Sequence, residues 1–171
     1  MTKPQWARWW WLGVLCLAFE LHAQEWRNGV VVSVHDGDTA TVETTQGRIL
    51  RVRFYGVDAP ERENEYWPDQ AFAREAGAFM QKLLRDKAVA VRLTGDKTYG
   101  REVGEIFVDG RSATREILRA GLAWWNTKYA PHDSDLARLE QNARKAKRGL
   151  WRDAESIAPW EFRNRYRRRK H

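Results

Sequence analysis

The 171-residue chain contains a single cysteine, which excludes an internal disulfide framework and any zinc site built from several cysteines. Its four histidines are scattered, and the sequence has no G-x-S-x-G and no H-E-x-x-H motif, so serine-hydrolase and zinc-protease chemistry are disfavoured. No apolar run reaches about 18 residues and no repeat is present, which excludes a multi-span membrane protein and a coiled coil. With 43% apolar residues, one compact domain with a real core is expected.

The first 23 residues have the three parts of a secretory signal peptide. Lys3 and Arg8 give a positive start, an eleven-residue apolar run covers residues 9–19, and Ala23 is a small residue suited to cleavage. The run is short for a bilayer span, so a permanent anchor is the weaker interpretation. We therefore predict a signal peptide over residues 1–23, cleavage near Ala23, no membrane span afterwards, and a secreted or periplasmic protein.

The positive charge of the chain is concentrated at its C-terminus. Residues 24–162 carry 22 basic and 22 acidic side chains, whereas residues 163–171 carry six basic side chains and no acid. We predict a folded domain over residues 24–162 and a basic tail over residues 163–171. Such a tail either attracts a polyanion or is a solvated, frayed terminus that keeps the protein soluble, and the sequence leaves both interpretations open.

Residue patterning predicts a mainly β domain with helices. Five β-rich runs lie at residues 30–34, 40–44, 48–57, 88–93 and 103–108, and turn signals such as Asp-Gly separate them. In the third run, apolar Leu50, Val52 and Phe54 alternate with polar positions, as in a half-buried strand. Strands linked in this way suggest an antiparallel meander that closes into a small barrel.

Three stretches have the periodicity of amphipathic helices. The first is expected within residues 69–85, with a stripe formed by Phe72, Ala76, Phe79 and Leu83. The second is expected to begin after a Ser112 N-cap and to stop at Gly121. The third begins near Asp133 or Ser134, ends at Gly149, and is expected to bury Leu136, Leu139, Ala143 and Ala146.

A set of acids and arginines lies at the ends of these predicted strands: Asp36 and Asp38 in HDGDT, Asp58 and Glu61 in VDAPE, Arg53 before the second motif, and Arg101 in TYGRE. Loop positions that carry carboxylates beside rigid strands are places where a fold can hold a hard cation. Each motif alone is more often simple turn chemistry. Their combination, order and spacing favour a functional site.

With these motifs the chain resembles the staphylococcal nuclease (thermonuclease) family. VHDGDT, RFYGVDAPE and TYGRE occur in the family's order, followed by GLAWW and GLW, over roughly residues 26–152. The resemblance implies an α+β, mainly β fold: an OB-fold five-stranded antiparallel barrel with three α-helices. It further implies an endonuclease that requires Ca²⁺, hydrolyses the phosphodiester bonds of DNA and RNA, and leaves 3′-phosphate ends. We expect a monomer.

The resemblance also implies a metal site. Asp38 and Asp58 would be the carboxylate ligands of Ca²⁺, and the backbone carbonyl of Ala59 would be the third protein ligand. The family's reference enzyme has threonine at this last position, but because the carbonyl is the ligand, Ala59 still serves. Asp36 would be a supporting carboxylate behind the ligands.

By the same resemblance, Glu61 occupies the position of the general base. Arg53 and Arg101 occupy those of the two phosphate-binding arginines, and Tyr99 matches a tyrosine that packs near the bound nucleotide. Two alternatives remain: a non-catalytic OB-fold module that binds nucleic acid, and, more weakly, an envelope protein that uses the basic tail on acidic surfaces. All five charged positions of the catalytic set are intact, which favours the enzyme.

Overall fold

The structure, a computed structural model, describes residues 25–168, so the predicted signal peptide and residues 169–171 lie outside the described range. Within that range the chain forms eight strands and four α-helices. The strands are β1 (Glu25–Val34), β2 (Thr39–Thr44), β3 (Ile49–Phe54), β4 (Val57–Asp58), β5 (Ala88–Thr98), β6 (Arg101–Val108), β7 (Arg111–Ser112) and β8 (Trp124–Trp125). The helices are α1 (Ala73–Leu84), α2 (Ala113–Ala120), α3 (Ser134–Lys145) and α4 (Pro159–Arg168), with a 3₁₀-helix at Gly149–Arg152.

Five long strands close into a barrel, as the sequence predicts. Their order around the barrel is β3, β2, β1, β5, β6, and β6 returns to pair with β3. The β3–β6 pair is parallel while the other four are antiparallel, so the barrel is mixed and not wholly antiparallel as predicted. Strand direction must alternate around an antiparallel ring, and with five strands one pair cannot alternate. The closing pair is therefore parallel.

The barrel interior is filled by the alternate residues of each strand. Leu50, Val52 and Phe54 of β3 are buried, which confirms the predicted alternation. They join one core cluster with apolar residues of the other strands and of α1, α2 and α3. This core fixes the positions of the strand ends, where the charged residues lie.

Two of the predicted helices differ in detail from their expected form. Helix α1 begins at Ala73 and not near Asp69, because Phe72 has a left-handed backbone with φ of 67° and cannot belong to the helix. In α3 the predicted core residue Ala146 is exposed, since it is the C-terminal cap of the helix. The second helix is confirmed: the Ser112 hydroxyl accepts a hydrogen bond from the Arg115 amide, and Gly121 ends α2 with φ of 69°.

A fourth helix, α4, is present where the sequence analysis placed a basic tail. The predicted boundary at Arg163 falls inside α4, which is continuous across it. Pro159 and Phe162 are buried, and Ala158 just before the helix belongs to a second apolar cluster with Trp124 and Leu150. Residues 163–168 are thus part of a docked helix. No helix within residues 25–168 is long and apolar enough to cross a membrane.

Candidate active site

The turn between β1 and β2 presents the first acids of the site. Asp36 accepts a hydrogen bond from the Asp38 amide at 2.9 Å, which closes the turn, and the Phe54 amide on β3 donates to the Asp38 carbonyl at 2.8 Å. Gly37 is required between the two acids, because a Cβ there would lie 2.6 Å from Cβ of Ala59. The tight approach brings the Ala59 amide to 2.6 Å from Oδ2 of Asp38, to which it donates.

The third strand and the short strand after it bring Arg53 and Asp58 to the same place. Asp58 lies in β4, which pairs with β8 so that Asp58 is opposite Trp124. The aromatic pair of the GLAWW motif therefore positions an acid of the site. Asp58 is 1% exposed and Asp38 is 6% exposed. Backbone hydrogen bonds and strand pairing thus position both acids.

Arg53 joins these two acids. Its Nη2 donates to Oδ1 of Asp58 at 2.8 Å, and its Nη1 lies 2.9 Å from Oδ2 of Asp38. Among the described residues, Nη1 has no partner of hydrogen-bonding geometry, so the pair with Asp38 is an ion pair only. One guanidinium therefore lies against two buried carboxylates, and the site contains more acid than this arginine satisfies.

A residue that the sequence analysis did not assign to the site completes it. Arg163 of α4 donates from Nη2 to Oδ2 of Asp58 at 2.9 Å and from Nη1 to Oδ1 of the same acid at 3.3 Å. Its Nη1 also donates to Glu61 Oε1. Arg163 is 105 residues from Asp58 in the chain, and a run of arginines at a terminus has no pattern that distinguishes a buried one from solvated ones. No sequence signal identifies it.

The loop carrying Glu61 is fastened by a buried amide. Gln70 accepts from the Glu61 amide at 3.1 Å, and its own backbone amide donates to the Glu61 carbonyl at 2.8 Å. Its Nε2 donates to the carbonyl of Ile157, just before α4, at 2.7 Å. Gln70 thus links the Glu61 loop to the segment that leads into the fourth helix, which explains how two distant parts of the chain meet.

Arg101 and Tyr99 lie on the β5–β6 hairpin. Arg101 makes two long hydrogen bonds, from Nε to the Thr98 carbonyl at 3.3 Å and from Nη1 to the hydroxyl of Thr39, the neighbour of Asp38, at 3.4 Å. The arginine is therefore next to the acids and weakly held. Tyr99 is 92% exposed at the turn.

The electrostatics of the site favour a further positive charge. Burial raises the pKa of Asp38 well above its usual value; Arg53 opposes this shift, while Asp36 and Asp58 add to it. Burial likewise raises the pKa of Glu61, and Arg163 opposes it. The two carboxyls thus lie in surroundings that do not stabilise their charged forms as well as water does.

The arginines respond to the same field in different directions. Burial lowers the pKa of Arg53, but Asp38 and Asp58 outweigh it, so that the pKa is raised. Burial also lowers the pKa of Arg163, and its hydrogen bonds and charge interactions with Asp58 and Glu61 reverse this into a rise. For Arg101 the pKa is lowered by burial and by repulsion from Arg53. Of the three arginines, Arg101 is the one that makes no hydrogen bond to a carboxylate within residues 25–168. It is therefore suited to bind a phosphate.

The oxygen atoms of the site are suited to a hard cation such as Ca²⁺. Within residues 25–168 no group of three or more His, Cys, Asp or Glu side chains has the arrangement of a metal site, so any metal here would depend on two carboxylates, a backbone carbonyl and water. Asp38 and Asp58 supply hard oxygen atoms beside a common guanidinium, and a cation beside Asp38 would offset the burial that raises its pKa. This chemistry fits a hard divalent cation.

The chain is similar over most of its length to proteins named as nucleases. The family model described as "Staphylococcal nuclease homologue" matches residues 51–153. A protein of Escherichia coli O157:H7 named "Uncharacterized endonuclease" is 36% identical over 139 residues, which cover 81% of this chain and 86% of that protein. A protein of the same name from Haemophilus influenzae is 29% identical over 78% of this chain and 71% of its own length. "Staphylococcal-like nuclease CAN1" of Arabidopsis thaliana is 31% identical over 73% of this chain and 36% of its own length.

Proposed function

This chain belongs to the staphylococcal nuclease family and is a nuclease, and on that premise we propose that it is a Ca²⁺-dependent endonuclease that hydrolyses phosphodiester bonds of DNA and RNA and leaves 3′-phosphate ends. The observation that carries the proposal is the convergence of the acids and arginines. Arg53 contacts Asp38 and Asp58 within 2.9 Å, and Glu61 shares Arg163 with Asp58. A phosphodiester would meet all of these groups together.

The residues that would hold the ion are Asp38 and Asp58, through their carboxylates, and Ala59, through its backbone carbonyl. A bound Ca²⁺ supplies positive charge to the phosphate oxygens and a coordination sphere that retains water. Asp36 supports the arrangement because its carboxylate accepts a hydrogen bond from the Asp38 amide and so fixes the turn. Gly37 allows this turn to approach Ala59. The three proposed ligands therefore lie close together on two segments that the barrel holds rigidly.

Glu61 is the proposed general base, which accepts a proton from the attacking water at a carboxylate oxygen. Its raised pKa is closer to neutral pH than the pKa of an ordinary glutamate, which suits a group that must both take up and release a proton. Gln70 holds the backbone of Glu61 from both sides and so limits the movement of the loop. A base positioned in this way typically contributes ~10²–10⁴ in rate.

Arg53 and Arg101 are the proposed phosphate-binding residues. Each guanidinium is planar, permanently charged and able to contact two phosphate oxygens together, which lysine cannot reproduce. Charge that develops on the phosphate in the transition state strengthens these contacts relative to the ground state. Arg101 is the more available of the two, because its present hydrogen bonds are 3.3 and 3.4 Å long.

The proposed substrate class follows from the groups present. The catalytic groups all address phosphate, so discrimination between bases and between sugars should be weak, which supports both DNA and RNA as substrates. Tyr99 offers an exposed ring beside Arg101 on which a base can stack, and this would favour single-stranded or frayed segments.

Export is part of the proposal and has its own test. The segment 1–23 has the charge, apolar run and small residue of a signal peptide. After expression in a Gram-negative host, N-terminal sequencing of protein recovered from the periplasm or medium should begin within a few residues of Gln24. Full-length protein retained in the cell would contradict export without affecting the proposed chemistry.

The proposed activity is tested by digestion of plasmid DNA and of RNA with and without Ca²⁺ and with EGTA. We expect cleavage of both substrates that EGTA abolishes and that excess Ca²⁺ restores. A labelled oligonucleotide should give fragments that a polymerase extends only after phosphatase treatment, as 3′-phosphate ends require. Binding of nucleic acid without cleavage under every condition would instead support the non-catalytic module.

A further inference from the structure

Arg163 contacts the atoms on which the proposed chemistry depends. It donates to both oxygens of Asp58, a proposed metal ligand, and to Oε1 of Glu61, the proposed base. A guanidinium hydrogen-bonded to these oxygens occupies the directions in which they would bind an ion or a water molecule. In this structure Arg163 therefore takes the place that a cation would take beside Asp58 and Glu61.

The charges of the site explain why a cation is required there. Three carboxylates, those of Asp38, Asp58 and Glu61, lie against the guanidiniums of Arg53 and Arg163, which leaves one negative charge. Without Arg163 the excess would be two. A buried carboxylate such as Asp58 is costly to the fold when its charge is incompletely paired, so in the absence of metal Arg163 stabilises the site together with Arg53.

The position of Arg163 is built into the fold. Helix α4 is anchored by buried Pro159 and Phe162, and Gln70 ties the segment before the helix to the Glu61 loop. The guanidinium is therefore presented to the acids at a high effective concentration. Its side chain is still 26% exposed, so a change of rotamer can carry the guanidinium into solvent while the helix stays docked.

We propose, on the basis of the proposed Ca²⁺ site, that Arg163 is a further residue of the active site that competes with the divalent ion for Asp58 while it also holds Glu61. The ion and the guanidinium both require the oxygens of Asp58 and carry charge of the same sign, so both cannot hold Asp58 at full strength. Binding of Ca²⁺ releases Arg163 from Asp58. Arg163 thereby sets the Ca²⁺ concentration at which the nuclease becomes active.

The expected size of the effect follows from a two-state competition. If the acids are held by Arg163 about nine-tenths of the time, the apparent Kd for Ca²⁺ is raised about tenfold. Removal of Arg163 should therefore lower that Kd by about tenfold, equivalent to ~1.4 kcal/mol. Arg163→Lys keeps the charge but cannot donate to both acids from one planar group. Its Kd for Ca²⁺ should therefore lie between that of the wild type and that of a variant without a charge at this position.

The test is calorimetric titration of the purified protein with CaCl₂, in the absence of nucleic acid. The variants are Arg163→Gln, Arg163→Lys and the matched control Arg165→Gln, which removes the same charge from an exposed position on the same helix. We expect a lower Kd for Arg163→Gln, an intermediate value for Arg163→Lys, and a control within about twofold of the wild type.

Thermal unfolding gives a second measurement. In EGTA, Arg163→Gln should unfold at a lower temperature than the wild type, because Asp58 and Glu61 lose the guanidinium that they share. Saturating Ca²⁺ should raise its Tm by more than it raises that of the wild type, since the ion replaces the missing guanidinium. If Arg163→Gln does not fold, the same comparison between Arg163→Lys and the wild type carries the test.

Several outcomes would overturn the competition. An unchanged Kd in Arg163→Gln, or an equal change in Arg165→Gln, would show that Arg163 does not compete for the ion. A lower cleavage rate at saturating Ca²⁺ with an unchanged Kd would show that Arg163 positions Glu61 instead. If no protein binds Ca²⁺, the competition fails together with the proposed metal site, whereas Ca²⁺ binding that is insensitive to Arg163 overturns this inference alone.

Discussion

Two clusters of buried acid and arginine lie on the same barrel, and they differ in how fully the acids are satisfied. In the structural cluster, formed by Glu105, Arg92, Ser112 and Arg115, one carboxylate 2% exposed is held by two arginines and by the Ser112 hydroxyl at 2.8 Å. In the active site, three carboxylates share the two guanidiniums that contact them, and Nη1 of Arg53 lacks a hydrogen bond among the described residues.

The difference separates a contact that stabilises the fold from one that serves a reaction. The Glu105 carboxylate is contacted by Arg92, Arg115 and the Ser112 hydroxyl, and Ser112 also caps α2. The structural cluster therefore joins the helix to the barrel. In the active site, burial and to a smaller extent Asp36 and Asp58 raise the pKa of Asp38, and within residues 25–168 the side chain of Arg101 hydrogen-bonds only to the Thr98 carbonyl and the Thr39 hydroxyl. Uncompensated charge of both signs costs stability and leaves groups available to an ion and a phosphate.

The largest expected effect is on activity when Arg101 is removed. Arg101→Ala should lower kcat by ~10²–10³, because a donor to the transition-state phosphate is lost. Its two long hydrogen bonds predict little change in Tm. Arg48→Ala, which removes an exposed arginine at the β2–β3 turn, is the control and should keep wild-type activity. A folded Arg101→Ala protein with the wild-type rate would contradict the assignment.

The next effect is expected at Glu61. Glu61→Gln keeps the shape of the side chain but removes the base, and the rate should fall by at least ~10². Circular dichroism should show an unchanged fold. Glu63→Gln, at an exposed position in the same loop, is the matched control. Equal rates in Glu61→Gln and the control would remove Glu61 from the mechanism and leave the site as a binding surface.

In the structural cluster the effect should fall on stability and not on activity. Glu105→Gln removes the buried carboxylate that Arg92 and Arg115 share, and we expect a loss of about 2–3 kcal/mol in the free energy of unfolding. Glu102→Gln, on the same strand as Glu105, breaks the surface ion pair with Lys97. It should lower the free energy of unfolding by less than about 1 kcal/mol. Denaturant unfolding measures both variants. A Glu105→Gln protein as stable as the wild type would erase the distinction between the clusters.

The smallest effect is expected for Asp38→Asn, which should leave the free energy of unfolding unchanged or raise it. The folded-state pKa of Asp38 lies above its unfolded value, chiefly through burial, so ionised Asp38 lowers stability at neutral pH. That penalty disappears as the pH falls through the raised pKa. In EGTA at pH 7, Asp38→Asn should therefore be as stable as the wild type or up to about 1 kcal/mol more stable, and the difference should shrink at lower pH. A loss above about 1 kcal/mol would show that Asp38 stabilises the fold.

Much of the fold is predictable from local signals in the sequence. The alternation of Leu50, Val52 and Phe54 predicts the buried face of β3, and Ser112 with Gly121 predicts both ends of α2. Phe72 is the instructive exception, because its apolar side chain continues a helical stripe while its backbone at φ of 67° ends the helix. Periodicity records which side chains are apolar, and tertiary contacts decide where a helix begins.

The active site is predictable only where its residues belong to motifs. HDGDT and VDAPE indicate Asp36, Asp38, Asp58 and Glu61, and the structure brings these acids together. Arg163 carries no such signal, since its role depends on the docking of α4 by buried apolar residues and by Gln70. The sequence shows a basic terminus, and only the fold distinguishes the arginine that reaches the acids from its exposed neighbours.

The most direct test of the account is the initial rate of plasmid cleavage measured across free Ca²⁺ concentration for the wild type and Asp38→Asn in parallel. The account predicts a saturable rise for the wild type, none in EGTA, and no Ca²⁺ activation in a folded Asp38→Asn protein. Equal activation of both proteins, or undiminished cleavage by the wild type in EGTA, would contradict a catalytic ion held by Asp38.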